Sequence, residues 1–370
     1  MSSVADERVF AEIKRLCCAG IEGSALLSAV LRCMRRVVPF EAYCACTTDP
    51  ASGLATRGQY EEMGSAETAT LFFERHYFEH QVERLRQMSR ERRPVELLSE
   101  DTKGRLERSP YYREILVPLG YTYRALSVFT TGRAIWGSVD LAREAGRPDF
   151  APHEAALLKR LAPHVSVGLK VAALRAQASL QEQEQDADVP GVLTLDRRGR
   201  VIQHTPSAER WLREIEELKS GWQEDAPLAV RTVSAVLQRA LHSETDKDLN
   251  NSPRLRIRAR SGRWLTLYGS LTAPDSADNP GDTIVVIEPA RLEEVAWLNA
   301  AAYGLSPRED ELVKLVMRGA STKQIAASLY ISENTVQNHL SHVFEKVGVR
   351  SRRECVKRLF FDHLYPSLLG

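Results

Sequence analysis

The chain has 370 residues, 43% hydrophobic and 27% charged, with 50 Lys and Arg against 49 Asp and Glu. At about 100 to 200 residues per domain this predicts two to four domains, and the apolar content excludes wholesale disorder. A net charge of +1 exerts no global pull on nucleic acid, so any such binding has to come from a local patch. No apolar run of about 18 residues is present, so no membrane-spanning helix and no membrane partner are expected. Met1 to Ala11 lacks a basic segment followed by an apolar one, so no secretory signal is expected either. Cys17, Cys18, Cys33, Cys44, Cys46 and Cys355 form no CxxC pair, which argues for reduced thiols in a cytoplasmic protein rather than for disulfides or zinc.

Residues 1 to 48 begin helical, with Leu26, Leu27, Val30, Leu31 and Met34 at helical spacing. Glu41 to Thr48 then reads as a strand, closed by Asp49-Pro50 and Gly53, with 54 to 60 as its hairpin partner. Residues 67 to 92 carry a further helix pattern. Tyr121 to Thr130 and Ala134 to Ala142 are two strands joined by Thr131-Gly132-Arg133. A strong helix follows from Pro152, with Ala155, Leu157, Leu158, Leu161, Val165 and Leu169 on its apolar face. Together these predict an α+β domain with an antiparallel sheet and helices on one face.

Trp136-Gly-Ser-Val-Asp-Leu-Ala142, Asp149-Phe150-Ala-Pro-His-Glu154 and Leu157 to Val165 resemble the end of GAF domains, where a last strand pair precedes a phenylalanine-led helix. The resemblance extends over residues 8 to 175 and implies a possible small-molecule signal bound in this domain. The helix is expected to run on to Gln185, becoming polar at 181 to 186. A helix leaving a sensor with an apolar seam suits a parallel homodimer, and a solvated linker helix is the plainer reading.

Residues 189 to 290 predict a smaller unit. Gly191 to Ile202 gives strand, turn and strand, helix patterns cover Ala208 to Leu218 and Val233 to Leu241, and Leu255 to Tyr268 alternates as a hairpin around Ser261-Gly262. Ile284 to Ile287 is a final strand. This order resembles a PAS domain, with Leu195-Asp196 to Ile202 and the helix near Ala208 carrying the likeness.

Residues 304 to 363 hold the densest signals. Ser306-Pro307-Arg-Glu309, Ser321-Thr-Lys-Gln324 and Ser351-Arg-Arg-Glu354 are capping boxes ahead of apolar helical periodicity. Leu312, Leu315 and Val316 face inward on the first helix, Ile325, Ala326 and Leu329 on the second, and Val356, Leu359 and Phe360 on the last. Ser332 caps a further helix whose Val336, Leu340, Val343, Phe344 and Val347 share one stripe. Four short helices with a tight turn between the second and third have helix-turn-helix geometry. The opposite face of the third offers Asn334, Asn338, Ser341, His342 and Glu345, flanked by Gln337 and His339. Asn and Gln pair bidentately with adenine, and small Ser allows close approach. Thr322, Lys323, Thr335, Lys346 and Arg350 stand near helix ends, where hydroxyls and cations meet phosphates. Residues 304 to 370 contain ten Lys and Arg and seven Asp and Glu, a local basic excess.

Leu305 to Glu309, Gly319 to Ala326, Ile331 to His339 and Lys346 to Arg352 resemble, with spacing intact, the LuxR/FixJ-type helix-turn-helix domain. The resemblance implies a recognition helix starting near Ser332, with Gln337, Asn338 and Ser341 facing bases. It also implies dimers on double-stranded DNA, with the last helix in the dimer contact, and a contact with RNA polymerase. Gln337 stands where the family usually has Lys, which puts the base preference in question.

The expected architecture is therefore a multidomain α+β sensor region, GAF-like then PAS-like, followed by an all-α four-helix helix-turn-helix domain. Its boundaries are 1–177, a linker at 178–189, 190–290, a connector at 291–303, and 304–370. The expected function is sequence-specific transcription regulation, and the alternative is a protein-interaction adaptor with a degenerate helix-turn-helix. His76 and His80 lie i, i+4 among aromatics, and Cys44 and Cys46 share one side of a strand. Packing is the expected role of all four over metal ligation or oxidant sensing. No GxxxxGK[ST], HExxH, GxSxG or kinase set occurs, so neither an enzyme nor a cofactor is expected.

Overall fold

The computed structural model describes residues 4–62, 81–178, 189–196, 199–215, 226–242, 253–272, 282–290, 303–317, 319–356 and 358–359. His76, His80, most of the expected 67–92 helix, the 179–185 end of the long helix, and Phe360 lie outside these residues.

The amphipathic N-terminus forms α1 (Val4–Cys18) and α2 (Gly23–Met34). The Glu22 carboxylate starts α2 by accepting from the Ser24 and Ala25 amides at 2.9 and 3.2 Å. The hairpin β1 (Ala42–Thr48) and β2 (Ala55–Glu61) follows, then α3 (Val82–Glu91), β3 (Val95–Leu97), a single helical turn α4 (Leu98–Asp101), β4 (Tyr121–Thr131), β5 (Ala134–Glu144) and α5 (Pro152–Ala178). The strands make one antiparallel sheet in the order β2-β1-β5-β4-β3. Period-two alternation, shifted by one residue at the irregularity near Phe129 and Thr130, assigns its faces. Ala45, Ala125, Phe129, Trp136, Val139 and Leu141 bury against α1, α2 and α5.

The expectation of helices on one face is only partly met. Leu85 and Met88 of α3 pack on Leu126, Val128 and Ile135, which point to the opposite face. That face also holds a buried polar cluster. Arg124 Nε donates to both Asp140 carboxylate oxygens at 2.8 and 2.9 Å, and its Nη2 donates to Gln81 Oε1 at 3.2 Å. The guanidinium stacks on the Tyr111 ring at 4.0 Å. Burial alone would lower the Arg124 pKa, but Asp140 outweighs it and the group is held above its usual value. Cys44 and Cys46 lie on the same side of β1, as alternation requires. Burial pushes the Cys44 thiol well up, away from the lowered pKa of a reactive cysteine, and Cys46 Sγ lies 3.2 Å from Ser138 Oγ in the interior.

The start of α5 is tied to β5 through Arg143. Its guanidinium donates to the carbonyls of Pro39, Pro148 and Asp149 and to Glu154 Oε1, and stacks on the Phe150 ring at 4.0 Å. Phe150 therefore leads the helix for a packing reason.

The second unit comprises β6 (Gly191–Leu195), β7 (Val201–His204), α6 (Pro206–Ile215), α7 (Leu228–His242), β8 (Arg254–Arg258), β9 (Trp264–Leu271) and β10 (Thr283–Pro289). Its antiparallel sheet runs β7-β6-β10-β9-β8, the same order as the first when each is counted from its own start. Leu193, Leu195, Leu255, Ile257, Leu265, Leu267, Val285 and Ile287 alternate inward beneath α6 and α7.

The two units meet at β2 and β8. Arg256 Nη2 lies 3.2 Å from Asp49 Oδ2, whose side chain is fully buried. Arg57 Nη2 donates to the Arg258 carbonyl at 2.8 Å, and Leu228 of α7 presses on Gly58. The last segment touches the first unit through main chain. A Cβ built on Gly132, in the β4–β5 turn, would stand 3.2 Å from Gly304 Cα, and the Lys170 ammonium lies 5.8 Å from the Tyr303 ring centroid. Among the described residues no helix is long and apolar enough to cross a membrane.

Replacing Asp140 by Ala leaves Arg124 charged and uncompensated in the interior. A loss of about 3 to 5 kcal/mol is expected in urea unfolding. A loss below about 1 kcal/mol would show that solvent reaches the pair.

Candidate nucleic-acid interface

The C-terminal segment contains α8 (Pro307–Met317), α9 (Thr322–Leu329), α10 (Glu333–Val347) and the short α11 (Arg352–Val356). Two of the three expected capping boxes are complete, and the one at Ser351 forms its first half, with the Glu354 carboxylate accepting from the Arg350 amide instead. Ser306 and Glu309 exchange bonds, the Ser306 amide donating to the carboxylate at 2.6 Å and the Glu309 amide to the hydroxyl at 3.2 Å. Ser321 and Gln324 form a reciprocal box ahead of α9. The Glu354 amide donates to Ser351 Oγ at 3.1 Å.

α10 threads two small cores. Val336 and Leu340 bury with Leu312, Val316, Ile325 and Ala326. Val343 and Val347 bury with Leu305, Val313, Cys355 and Leu359, and Phe344 contacts both groups. The expected inward residues are therefore inward wherever they are described.

Three polar ties absent from the sequence reading hold these helices in place. Lys346 Nζ donates to Glu309 Oε2 at 2.6 Å, joining α10 to the start of α8. Arg308 reaches the Leu329 carbonyl at the end of α9, and Arg352 reaches the Ala320 carbonyl in the turn before it. Burial would raise the Glu309 pKa, but Lys346 and the Ser306 bonds outweigh it and hold the carboxyl below its usual range. No spacing rule finds these ties, since each joins residues 20 or more positions apart to a carbonyl or carboxylate set by tertiary packing.

The anticipated contact residues separate by role. Asn334, Gln337, Asn338 and Ser341 are exposed on α10, opposite its buried stripe. Among the described residues neither Asn334 nor Asn338 has a side-chain hydrogen-bond partner, so both amides are unengaged. Ser341 Oγ donates to the Gln337 carbonyl at 3.0 Å, one turn back. Gln337 Nε2 lies 3.5 Å from Thr322 Oγ1, so the start of α9, with exposed Lys323 beside it, adjoins the exposed face of α10. Ser332 and Thr335 serve the cap: the Thr335 amide donates to Ser332 Oγ at 3.0 Å, and their hydroxyls are 2.8 Å apart. Lys346 is engaged with Glu309. Arg350 is exposed beyond the end of α10, and its amide donates to Glu354.

This arrangement presents amides, a small hydroxyl and the amino end of a helix on one rigid surface, the donor and acceptor set suited to base edges and phosphates. Among the described residues no group of three His, Cys, Asp or Glu is disposed to hold a metal ion.

Residues 304–359 match the family model of bacterial regulatory proteins of the luxR family. The spore germination protein GerE of Bacillus subtilis is 44% identical over 55 residues, which are 15% of this chain and 74% of GerE. The probable HTH-type transcriptional regulator GfsR of Streptomyces halstedii is 38% identical over 60 residues, 16% of this chain and 25% of that protein. The CsgBAC operon transcriptional regulatory protein of Escherichia coli is 46% identical over 52 residues, 14% of this chain and 24% of that protein. A solved VqmA–ligand–DNA complex is 16% identical, covering 51% of this chain and 87% of that one at a TM-score of 0.21, a likeness too low to carry an argument. The capped helices, the bare face of α10 and the matched residues agree: the chain belongs to the luxR family of bacterial regulatory proteins, helix-turn-helix DNA-binding transcription regulators and not enzymes.

Proposed function

We propose that the chain is a cytoplasmic, homodimeric regulator that reads paired DNA half-sites with α10 in the major groove. The observation that carries this reading is the exposed face of α10, where Asn334, Gln337, Asn338 and Ser341 stand opposite a stripe locked by Val336, Leu340, Val343 and Val347. Asn338 and Ser341 read base edges, with Gln337 beside them. Thr322, Lys323, Ser332, Thr335 and Arg350 border that face with hydroxyls, cations and helix amino ends for phosphates. Lys346 contributes charge near the backbone only to the extent that Glu309 leaves it, so its first role is to hold α10 on α8. The segment 304–370 acts as the DNA-binding domain and also carries the contact to RNA polymerase.

Two α+β units with the same strand order stand ahead of it, which supports a GAF-like sensor over 1–177 and a PAS-like unit over 190–290, with 178–189 and 291–303 as linker and connector. A small molecule bound in the GAF-like unit shifts the placement of the two DNA-binding domains. This requires only that it bind one arrangement better than the other.

Selection of duplexes from a random pool by the full-length protein at two salt concentrations tests the reading. Enrichment of an inverted repeat whose affinity falls as salt rises is expected. Unenriched DNA recovered with a folded dimer would mean either that the missing signal gates binding or that the adaptor alternative holds, and repeating the selection with residues 291–370 separates the two.

On the selected duplex, Asn338→Ala is expected to lose about 1 to 3 kcal/mol and to relax specificity at one base position. Binding titrations across single-base variants of that duplex measure it, and an equal loss on every variant would remove Asn338 from base readout.

A further inference from the structure

Three helices of the DNA-binding segment close with the same motif, and two of them do so on glycine. After α8, Ala320 N–H bonds to the Leu315 carbonyl and Gly319 N–H to the Val316 carbonyl, both at 3.0 Å, with Gly319 at φ +79°. After α10, Val349 bonds to Phe344 at 2.9 Å and Gly348 to Glu345 at 3.2 Å, with Gly348 at φ +74°. After α9, Ile331 bonds to Ala326 at 3.0 Å and Tyr330 to Ala327 at 3.4 Å. There the left-handed position, φ +54°, is held by a tyrosine.

A side chain at that φ crowds the backbone, which is why glycine dominates such caps. Arg92 closes α3 in the same conformation, so a side chain is tolerable there. Glu62 and Lys103 hold the same angle, and like Arg92 they are exposed and charged, whereas Tyr330 puts an aromatic side chain there that is 94% exposed, the most exposed of the large hydrophobic residues described. A bare aromatic ring beside the cap of α10 is placed to meet something outside the chain. Their position limits what that is. Tyr330 lies two residues before Ser332, the cap of α10, a span of at most about 7 Å of backbone. At the other end of α9 stand Thr322 and Lys323. An apolar ring with a polar tip matches a deoxyribose beside its phosphate, and tyrosine is among the side chains that hydrogen-bond phosphate oxygens.

We propose that Tyr330 is a DNA-backbone contact, its ring against a sugar and its hydroxyl donating to a phosphate oxygen, so that α9 is anchored to the backbone at both ends while α10 reads the groove. This rests on the reading of α10 as the recognition helix. It assigns Tyr330 a positioning role that carries no sequence information of its own.

The test uses the full-length protein, a mixed-sequence duplex three helical turns long, and the duplex recovered by selection. Tyr330→Gly is expected to raise the melting temperature of the DNA-binding segment by roughly 4 °C or more, because the left-handed strain is relieved. It is also expected to weaken binding about tenfold on both duplexes, with an unchanged salt slope, since no cation is lost. Tyr330→Phe keeps the ring, and an intermediate loss of roughly threefold is expected from the missing hydroxyl bond. Unchanged affinity in Tyr330→Gly overturns the proposal and points to a protein partner for the ring. A lowered melting temperature also overturns it, since the tyrosine would then be structural. Asn338→Ala separates the two levels of inference. If it weakens the selected duplex while Tyr330→Gly weakens neither, only the Tyr330 contact falls. If wild type binds neither duplex, the DNA-binding reading falls with it.

Discussion

α10 has to be buried along one side and bare along the other, and the C-terminal segment is organised around that demand. Fifteen residues are too few for a stable isolated helix in water, so α10 depends on tertiary contact for its existence. Val336 and Leu340 draw α8 and α9 to its first half, while Val343 and Val347 draw Leu305, Cys355 and Leu359 to its second. Once those contacts are made, its rotation about its own axis is set, and so is the direction of Asn334, Asn338 and Ser341. The Lys346–Glu309 pair adds resistance to sliding, because it links the last turn of α10 to the first turn of α8.

The two sheets of the N-terminal region meet a related demand differently. An edge strand exposes unpaired backbone groups, and β2 and β8 are both edges. They are set against each other rather than left open, with Arg57 donating to the Arg258 carbonyl across the seam. The seam is also charged. Asp49 has no solvent exposure, and its carboxylate accepts from Ser52 and the Ala51 amide of its own turn as well as from Arg256. A carboxylate so committed to its own loop fixes where the second sheet attaches.

Much of this architecture was legible in the residues. The two apolar runs either side of Thr131-Gly132-Arg133 gave both long central strands to within two residues, and the cap sequences at Ser306, Ser321 and Ser351 located the C-terminal helices. β3 was not legible, because three residues carry too little periodicity to register. Nor was the packing of α3 on the second face of the sheet, since β4 and β5 bury both faces and so lose the polar alternation that marks a half-exposed strand. The exposed residues of α10 followed from the position of its apolar stripe. The engagement of Lys346 by Glu309 did not, since a lysine near a helix end reads as a phosphate ligand until its partner is seen. Tyr330 is not legible for a related reason: nothing in the residue type separates an exposed aromatic from a packed one until its exposure is seen.

Among the described residues, the first unit and the DNA-binding segment meet where the main chain of Gly132 lies against that of Gly304, with Lys170 and Tyr303 alongside. A contact made by two backbones is indifferent to side-chain identity except in requiring none at those two positions. Two such segments taken from different parents would therefore keep this close approach only where each brings its own glycine. The same economy makes it unforgiving, since one added methyl group at position 132 stands against the Gly304 main chain, and backbone has less room to give than the end of a side chain.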